Sequence, residues 1–309
     1  MNKKINYGLV GAGYLGGYHA EQLSKISSAR ILGVYDIIGT KALKLSKKFN
    51  INCFDSLDGL LSSCDAVSIC TPASNHYEVV RLALNNNCHI FIEKPITSTL
   101  VDAQNIIDAN SKINKVIQVG HIERFNGAFT SYSANMKAPL FIESHRLSPY
   151  NIRGLDVPVV LDLMIHDIDL VLSLVKDEIS SIHATGSCIV SDFIDLCNAR
   201  IKFKNGCVAN LTASRVSTKQ MRKMRVFEKN IYSSLDFQKQ ECLSWKINSN
   251  AAICEIPVIN KPVNALYEEL KSFIESITLG VEPKINELDG YNALNVAIKI
   301  QELIEKNRK

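Results

Sequence analysis

The sequence predicts an α/β protein, with a doubly wound parallel sheet at its N-terminus and an α+β domain with a large, mostly antiparallel open sheet at its C-terminus. Three observations lead to this prediction. The chain has 309 residues, about twice the usual length of a domain. Short β-rich runs alternate with helical patterns as far as residue 120, and β-like runs then follow one another from Ile179 to Val258 without intervening helices. The expected domains are therefore 1–120 and 121–309.

Strands and helices alternate in the expected first domain. The predicted strands are Ile5–Val10, Ile31–Tyr35, Ala66–Cys70, His89–Ile92 and Val116–Val119. The predicted helices lie near Leu15–Ser27, Thr40–Phe49, His76–Asn85 and Leu100–Asn110. This alternation is typical of parallel sheets, because each crossover between parallel strands needs a connection as long as a helix.

The expected second domain begins with one amphipathic helical segment, Val159–Val175, and then becomes rich in strands. Asn205-Gly206 lies between apolar runs, which predicts a hairpin of antiparallel strands. Helical patterns return at Asn264–Leu279 and Asn292–Lys306, and these helices could pack back on the first domain. A sheet covered by helices on one face leaves its other face for a second subunit, so we expect a homodimer or homotetramer that associates through this sheet.

Composition is typical of a globular protein, and we expect it in the cytoplasm. The hydrophobic share is 46% and the charged share is 21%. No apolar run reaches the roughly 18 residues that a membrane span needs, and the N-terminus continues into a short strand-like run rather than a signal-peptide core. The net charge of +4 is too small and dispersed to indicate nucleic acid binding, but it suits a small anionic ligand.

The nine cysteines are expected to be buried free thiols, with zinc binding and disulfides as the alternatives. They include no Cys-x-x-Cys pair and no matching histidine spacing. The adjacent pair Cys88-His89 opens a predicted strand, where neighbouring side chains point to opposite faces. We therefore predict no metal site.

A glycine-rich segment ends the first predicted strand and opens the first predicted helix. It has the spacing Gly-x-Gly-x-x-Gly and comprises Gly11, Ala12, Gly13, Tyr14, Leu15 and Gly16. Such glycines allow a tight turn and a close approach of the backbone to a pyrophosphate, to which the helix N-terminus donates hydrogen bonds. Asp36 ends the second strand about twenty residues later, where a carboxylate binds ribose hydroxyls. The pattern predicts a Rossmann dinucleotide-binding domain rather than an ordinary glycine turn.

Asp36 also indicates which nicotinamide cofactor is bound. Ile37 and Ile38 follow it, so no arginine is placed to meet a 2′-phosphate, and the carboxylate repels that phosphate. We therefore expect NAD, with NADP as the less favoured alternative.

Two polar segments follow buried strands at the edge of the sheet where ligands of open α/β folds bind. The first comprises Thr71, Pro72, Asn75 and His76, and the second comprises Glu93, Lys94 and Pro95. A lysine beside a buried strand loses its hydration unless it faces a cleft. For the first segment, a plain loop with a helix cap at Ser74 is an equal alternative.

The helical pattern after residue 158 places Asp162 and His166 four residues apart, so their side chains project from one face. A solvated aspartate and a buried structural histidine are the alternative. Together with the preceding motifs, this pair resembles the glucose–fructose oxidoreductase/inositol dehydrogenase family of NAD(P)-dependent oxidoreductases. The resemblance covers essentially the whole chain, and the Glu-Lys-Pro element is its more specific mark. It implies that the segments above bind the cofactor, that Lys94 reaches the nicotinamide ribose and the substrate, and that Asp162 and His166 act at the substrate.

Within that family, three further segments look like the branch that oxidises the 3-hydroxyl of UDP-N-acetylglucosamine. They are 120–126, 156–169 and 213–217. Guanidinium groups suited to a diphosphate are expected on the substrate side at Arg124, Arg146, Arg153 and Arg215. Ordinary surface charge is the alternative for each.

The implied reaction is the oxidation of a secondary hydroxyl. His166 is our first choice as proton acceptor, because a neutral imidazole is a suitable base at physiological pH, with Asp162 orienting it or gripping a neighbouring hydroxyl. Lys94 would stabilise the developing alkoxide or relay the proton; the reverse assignment, with Lys94 as the base, stays open. The alternatives for the whole protein are a dehydrogenase of a free sugar or inositol and a non-catalytic NAD-binding sensor or assembly protein.

Overall fold

The computed structural model describes residues 4–134, 138–150, 157–248 and 252–307. The chain divides into two compact units, one formed by residues 1–121 with 266–291 and the other by residues 122–265 with 292–309. Each unit has its own sheet. In the described part of the chain, no helix is long and apolar enough to cross a membrane.

The first unit is built on parallel strands. They are β1 (Ile5–Val10), β2 (Ala29–Tyr35), β3 (Asn52–Cys53), β4 (Ala66–Ile69), β5 (His89–Glu93) and β6 (Ile117–Gly120). Within the described residues they form a six-stranded sheet in the order β3-β2-β1-β4-β5-β6, with all pairs parallel. The strand order reverses between β1 and β4, and such a switch point opens a crevice at the carboxyl ends of the strands. The predicted doubly wound sheet is confirmed.

Helices connect these strands. They are α1 (Tyr14–Leu23), α2 (Gly39–Phe49), α3 (Leu57–Leu61), α4 (His76–Asn85) and α5 (Leu100–Ile113). α4 has the predicted bounds, whereas α3 and β3 are too short to give a periodic pattern and were not predicted. A later helix, α8 (Ala265–Leu279), completes the core of this unit. Its Phe273 ring lies 6.2 Å from the ring of Tyr7 and 5.8 Å from that of Phe91.

The second unit is built on a mostly antiparallel sheet. Its strands are β7 (Phe141–Leu147), β8 (Ile179–Ser187), β9 (Leu196–Phe203), β10 (Val208–Ser214), β11 (Met221–Glu228), β12 (Ile231–Asp236), β13 (Glu241–Ile247) and β14 (Ile253–Ile256). Among the described residues the sheet has eight strands in the order β14-β13-β12-β11-β7-β10-β9-β8. β7 and β10 are parallel, and the other pairs are antiparallel. This confirms the predicted α+β architecture.

Helices cover one face of this second sheet. The helical elements are a 3₁₀ turn at Ile122–Phe125, α6 (Gly127–Ser133), a π-helical turn at Val160–Met164, α7 (Ile165–Leu174) and α9 (Glu287–Asn307). Every second residue of β9 is buried, and the residues between them are exposed. The buried side chains pack with Ile168 of α7 and Ile300 of α9. The other face of the sheet carries the exposed set.

The predicted hairpin at Asn205-Gly206 is confirmed. β9 and β10 pair in antiparallel fashion on either side of it. Gly206 has a φ of +90°, which residues with a Cβ rarely adopt. Asn205 Oδ1 accepts a hydrogen bond from the backbone N–H of Cys207 at 2.9 Å, so the side chain closes the turn.

β7 and α9 also differ from the prediction. β7 was not predicted, because its inward side chains include the charged Arg146 as well as apolar groups. α9 begins at Glu287 rather than Asn292. Asn286 Oδ1 accepts from the N–H of Asp289 at 3.0 Å, and Asp289 Oδ2 accepts from the N–H of Asn286 at 3.2 Å. This reciprocal capping starts the helix earlier than its apolar pattern suggests.

The cysteine side chains are free thiols in this structure, and none of the nine forms a disulfide. Burial raises the pKa of the Cys88 and Cys207 thiols to about 11, so both stay protonated at neutral pH. Within the described ranges, no three histidine, cysteine or carboxylate side chains are grouped as metal ligands.

Candidate active site

The glycine turn between β1 and α1 has the geometry of a phosphate-binding turn. Gly11 has a φ of +99°, and a Cβ there would lie 2.7 Å from a backbone carbonyl oxygen. A Cβ on Gly16 would lie 2.0 Å from the carbonyl oxygen of Gly11, so α1 starts in contact with the turn. A Cβ on Gly13 would meet nothing within 4 Å, and Tyr14 and Leu15 beside it are exposed. The N-terminus of α1 is therefore open where such turns bind phosphate.

Asp36 is fixed at the end of β2 by two backbone N–H groups. Its Oδ2 accepts from Ala12 at 2.6 Å, and its Oδ1 accepts from Ile38 at 2.8 Å. The carboxylate therefore ties the glycine turn to the loop after β2. Ile37 and Ile38 are exposed, with Ile37 at 81%, so aliphatic side chains follow the carboxylate.

His76 joins the loop after β4 to the loop after β5. It is the first residue of α4 and is almost completely buried. Its Nε2 lies 2.9 Å from the carbonyl oxygen of Thr71, and its Nδ1 lies 2.9 Å from that of Pro95. Burial lowers the pKa of this imidazole below its ordinary value, although the hydrogen bonds to the two carbonyl groups act in the opposite direction. Both nitrogen atoms of this predicted cofactor residue thus contact the protein backbone.

Thr71 carries a polar atom without a protein partner at this edge of the sheet. Its Oγ1 is buried and has no hydrogen-bond partner among the described residues. Buried hydroxyl groups are normally paired, so this oxygen indicates a ligand. Pro72 and Asn75 are exposed in the same loop. The N-cap of α4 is Asn75, so the alternative cap at Ser74 is wrong.

Glu93 ends β5 and is buried, although the next residue, Lys94, is only half-buried. Glu93 Oε1 lies 2.9 Å from Nε2 of His19, a residue of α1 that sequence reasoning missed. Burial alone would raise the pKa of the Glu93 carboxyl, but the hydrogen bond with His19 and the charge of Lys94 hold it below its ordinary value. A carboxylate is therefore fixed directly before Lys94.

Asp162 lies within the π-helical turn, and His166 lies in the first turn of α7. Both side chains are half-buried. The backbone N–H of Asp162 donates to Pro158 at 3.1 Å, where the turn begins. Single π-helical turns are frequent at functional sites, because they alter the direction of the side chains that follow. This wider turn was not predicted for the segment Val159–Val175.

Buried ion pairs anchor α7. Arg146 of β7 donates from Nε and Nη2 to the two carboxylate oxygens of Asp167, each at 2.9 Å, and from Nη1 to Glu123 at 2.7 Å. Its side chain is 3% exposed. Arg124 donates to both oxygens of Asp169 at 2.8 and 2.6 Å. Two of the predicted diphosphate ligands are thus bound to carboxylates within their own unit.

Arg215, another predicted ligand, supports the entry to the π-helical turn. Its Nη2 donates to the carbonyl oxygens of Val157 and Ile194, and its Nε lies 3.5 Å from a carboxylate oxygen of Asp195. The side chain is buried. The remaining predicted arginine, Arg153, lies outside the described residues, as does Asp156.

Arg222 is a further arginine that sequence reasoning missed. It starts the buried-side alternation of β11 and is the register partner of Arg146 on β7. Its side chain is 42% exposed, and its Nη1 lies 3.9 Å from Oε1 of Glu123, beyond hydrogen-bond distance. Alternation of apolar and charged residues along β11 could have indicated on which face of the sheet Arg222 lies, but not how exposed its side chain is.

Comparison with known proteins adds to this geometry. The family model described as "Oxidoreductase family, NAD-binding Rossmann fold" matches residues 5–121, and the GFO/IDH/MocA C-terminal domain model matches residues 112–229. UDP-N-acetylglucosamine 3-dehydrogenase from Acidithiobacillus ferrooxidans is 33% identical over 305 residues, which cover 96% of each chain. The chain belongs to the Gfo/Idh/MocA family.

Other similar proteins include two inositol dehydrogenases. Myo-inositol 2-dehydrogenase from Thermotoga maritima is 22% identical, over 98% of this chain and 97% of its own. scyllo-Inositol 2-dehydrogenase (NAD(+)) from Bacillus subtilis is 26% identical, over 96% and 93%. A solved structure of the A. ferrooxidans UDP-N-acetylglucosamine 3-dehydrogenase matches this fold with a TM-score of 0.92 at 32% identity, covering 98% of each chain.

As a member of the Gfo/Idh/MocA family, the chain is an NAD(P)-dependent dehydrogenase that acts on a CH–OH group. The predicted fold class and enzyme class are confirmed. The residues of the first unit fit a nicotinamide dinucleotide, because the turn at Gly13 is open and Thr71 Oγ1 is a buried oxygen without a partner among the described residues.

Proposed function

We propose that this Gfo/Idh/MocA enzyme oxidises the 3-hydroxyl of UDP-N-acetylglucosamine to the 3-keto sugar, with NAD as the oxidant. The observation that carries the proposal is the match, over 96% of both chains, to a relative whose name states that reaction. The inositol dehydrogenases match over similar lengths but at lower identity. A free cyclitol or sugar is therefore the second candidate substrate.

The cofactor is assigned to the first unit. The proposed NAD-binding residues are Gly11, Gly13, Tyr14, Leu15, Gly16, Asp36, Thr71, Pro72, Asn75, His76, Glu93 and Lys94. Their contributions differ in kind: the glycine turn offers backbone N–H groups, Thr71 offers its buried oxygen, and His76 and Glu93 hold loops in place. We favour NAD over NADP, because the Asp36 carboxylate would repel a 2′-phosphate and aliphatic side chains follow it.

The proton chemistry is assigned to Lys94 and His166. Bound NAD would supply the acceptor for the hydride that leaves the sugar carbon. His166 accepts the hydroxyl proton, and Asp162 orients the imidazole or binds a neighbouring hydroxyl. Lys94 stabilises the charge that develops on the oxygen. The reverse assignment, with Lys94 as the base, predicts the same products.

The diphosphate is assigned to Arg222. Removing one partner of a buried ion pair typically costs about 3–5 kcal/mol, so Arg124 and Arg146 would have to leave Asp169 and Asp167 at a large free-energy cost. Arg222 is on the same face of the sheet and keeps N–H groups in solvent. Its Nη1 lies 3.9 Å from the Glu123 carboxylate, beyond hydrogen-bond distance, so the guanidinium can bind phosphate oxygens in a bidentate manner without breaking a hydrogen bond to a carboxylate.

The proposal also includes the cellular location and the oligomeric state of the enzyme. We place it in the cytoplasm, where free thiols persist, and assign a homodimer or homotetramer to the exposed face of the second sheet. An aromatic series lies on that face: ring centroids are 5.8 Å apart for Phe141 and Phe227, 5.1 Å for Phe227 and Tyr232, and 5.3 Å for Tyr232 and Trp245. Such side chains are enriched in interfaces.

The proposal is tested by following NADH formation with UDP-N-acetylglucosamine, free N-acetylglucosamine, glucose and myo-inositol, each with NAD and with NADP. A trapping amine removes the keto product, because its equilibrium can be unfavourable. We expect turnover with the UDP-sugar and NAD, and very poor turnover with free N-acetylglucosamine, because binding at the diphosphate positions the remote hydroxyl. Faster turnover of a free sugar or of inositol would overturn the substrate assignment, and equal turnover with NADP would overturn the cofactor preference.

A further inference from the structure

Four buried polar side chains form a continuous line in the first unit. Tyr7 of β1 lies 2.9 Å from Ser68 of β4 between hydroxyl oxygens, and Ser68 Oγ lies 2.9 Å from Nδ1 of His19. Nε2 of His19 lies 2.9 Å from Oε1 of Glu93. Tyr7, Ser68 and His19 are 0% exposed. The line therefore runs through the core and ends at Glu93, the residue before Lys94, whose side chain is 12% exposed.

The hydrogen bonds of this line can all be donated in one direction, from Tyr7 towards Glu93. Burial raises the pKa of Tyr7, so its hydroxyl stays protonated and can donate to Ser68. Ser68 then donates to Nδ1 of His19, and the N–H of Nε2 donates to the Glu93 carboxylate. In this arrangement every group of the line has a hydrogen-bond partner, which is the condition for keeping such a chain buried.

The surroundings of Glu93 hold the carboxylate in one place. A Cβ added to Gly120 of β6 would lie 3.0 Å from Glu93 Oε2, so the glycine leaves the room that the carboxylate fills. The imidazole of His19 packs edge-on against Phe91, with ring centroids 5.1 Å apart.

The line connects two parts of the cofactor site. His19 belongs to α1, the helix whose N-terminus opens at the glycine turn, and lies three residues after Gly16. Glu93 belongs to the strand end from which Lys94 projects. We propose that His19 is a positioning residue, which couples α1 to Lys94 by holding the Glu93 carboxylate. The inference rests on the proposed role of Lys94 in the reaction.

The test compares His19→Phe, His19→Gln and Ser68→Ala with the unmodified enzyme. His19→Phe keeps an aromatic ring but removes both hydrogen bonds, so we expect Lys94 to be displaced. A misplaced catalytic group can lower kcat on the order of 10²-fold. We expect this loss with little change in KM or in the dissociation constant for NADH, followed by its fluorescence. His19→Gln, whose amide nitrogen can reach Glu93, should recover part of kcat. Ser68→Ala keeps the bond between His19 and Glu93 and should lose far less.

A second readout does not depend on the substrate. The acetylation rate of Lys94, followed by peptide mass analysis, should rise severalfold in His19→Phe and stay near the unmodified rate in Ser68→Ala.

Unchanged kcat and unchanged acetylation in a folded His19→Phe variant would overturn the inference. A loss confined to thermal stability would do the same. If His19→Phe does not fold, equal kcat values for His19→Gln and the unmodified enzyme together with a large loss in Ser68→Ala would overturn it. A failed UDP-sugar assay leaves the acetylation result intact, so the two proposals fail separately.

Discussion

Arg222 and Arg225 lie three residues apart on β11, on opposite faces of the second sheet. Arg225 is on the exposed face and donates to Glu143 at 3.0 Å, with a 49% exposed side chain. Arg222 is on the helix-covered face with a comparable exposure of 42%. The two residues share residue type, strand and solvent access, so they form a matched pair for locating the diphosphate.

We predict that Arg222→Gln raises KM for UDP-N-acetylglucosamine roughly tenfold or more, because a charge-assisted hydrogen bond contributes about 1.5–3 kcal/mol. Arg225→Gln should leave KM within about twofold, since an exposed ion pair contributes little. Steady-state kinetics and calorimetric binding of UDP measure both effects. Equal behaviour of the two variants would rule out Arg222 as the diphosphate ligand.

At the scale of elements, the segment before β9 supports the π-helical turn. The Asp195 carboxylate accepts hydrogen bonds from the backbone N–H groups of Ile189, Val190 and Ser191 at 2.7 to 3.0 Å. The carbonyl oxygen of Ile194 accepts from the N–H of Val159, directly before the turn. The segment that carries Asp162 and His166 thus depends on contacts with residues distant in sequence.

This support makes stability depend on pH. Burial alone would raise the pKa of Asp195, but the hydrogen bonds from Val190, Ser191 and Ile189 lower it from 3.8 to about 2. Because the folded pKa lies below the unfolded one, the contribution is complete above about pH 4, falls as the pH drops through about 2, and amounts to about 2 kcal/mol.

Asp195→Asn should therefore lower the free energy of unfolding by about 2 kcal/mol at pH 7, with a smaller difference from the unmodified enzyme near pH 2 to 3. Urea denaturation at both pH values measures it. The exposed neighbour Asp192 supplies the control, and Asp192→Asn should change little. A pH-independent difference would show that the carboxylate charge is not the cause.

Elements with a local sequence pattern could be predicted, whereas elements that depend on residues distant in the chain could not. The glycine turn, β1 and α4 were predicted because periodicity and turn residues suffice for them. β7 was missed because the charge of Arg146 is compensated by Asp167 and Glu123, which come from other parts of the chain. For the same reason, Arg124 and Arg146 could be singled out as guanidinium groups, but the carboxylates that bind them in the buried interior could not be predicted.

At the scale of the whole molecule, the exposed face of the second sheet is the surface that the proposed assembly would use. Its aromatic series is continued by Leu243 at 43% exposure and by Ile253 at 71%. Large exposed apolar side chains grouped on one face are typical of interaction sites. A charge placed in the middle of this series would have to be buried on association.

We predict that Phe227→Glu dissociates the assembly into monomers, because burying an unpaired carboxylate in an interface costs several kcal/mol. Analytical ultracentrifugation of the unmodified and variant enzymes measures this. Lys47→Glu, on the exposed surface of α2, introduces the same charged group and should leave the assembly unchanged. A monomeric unmodified enzyme, or a Phe227→Glu variant that stays associated, would contradict the proposed interface.

The most direct test of the central claim follows the hydrogen on the sugar carbon. UDP-N-acetylglucosamine that carries deuterium at C3 is incubated with the enzyme, NAD and a trapping amine, and the NADH and the sugar product are analysed by mass spectrometry. We expect NADH one mass unit heavier and a UDP-sugar product that has lost the label, because the C3 hydride would pass to the nicotinamide while the hydroxyl proton passes to the protein. Unlabelled NADH, or NADH formed only with a free sugar or inositol, would contradict it.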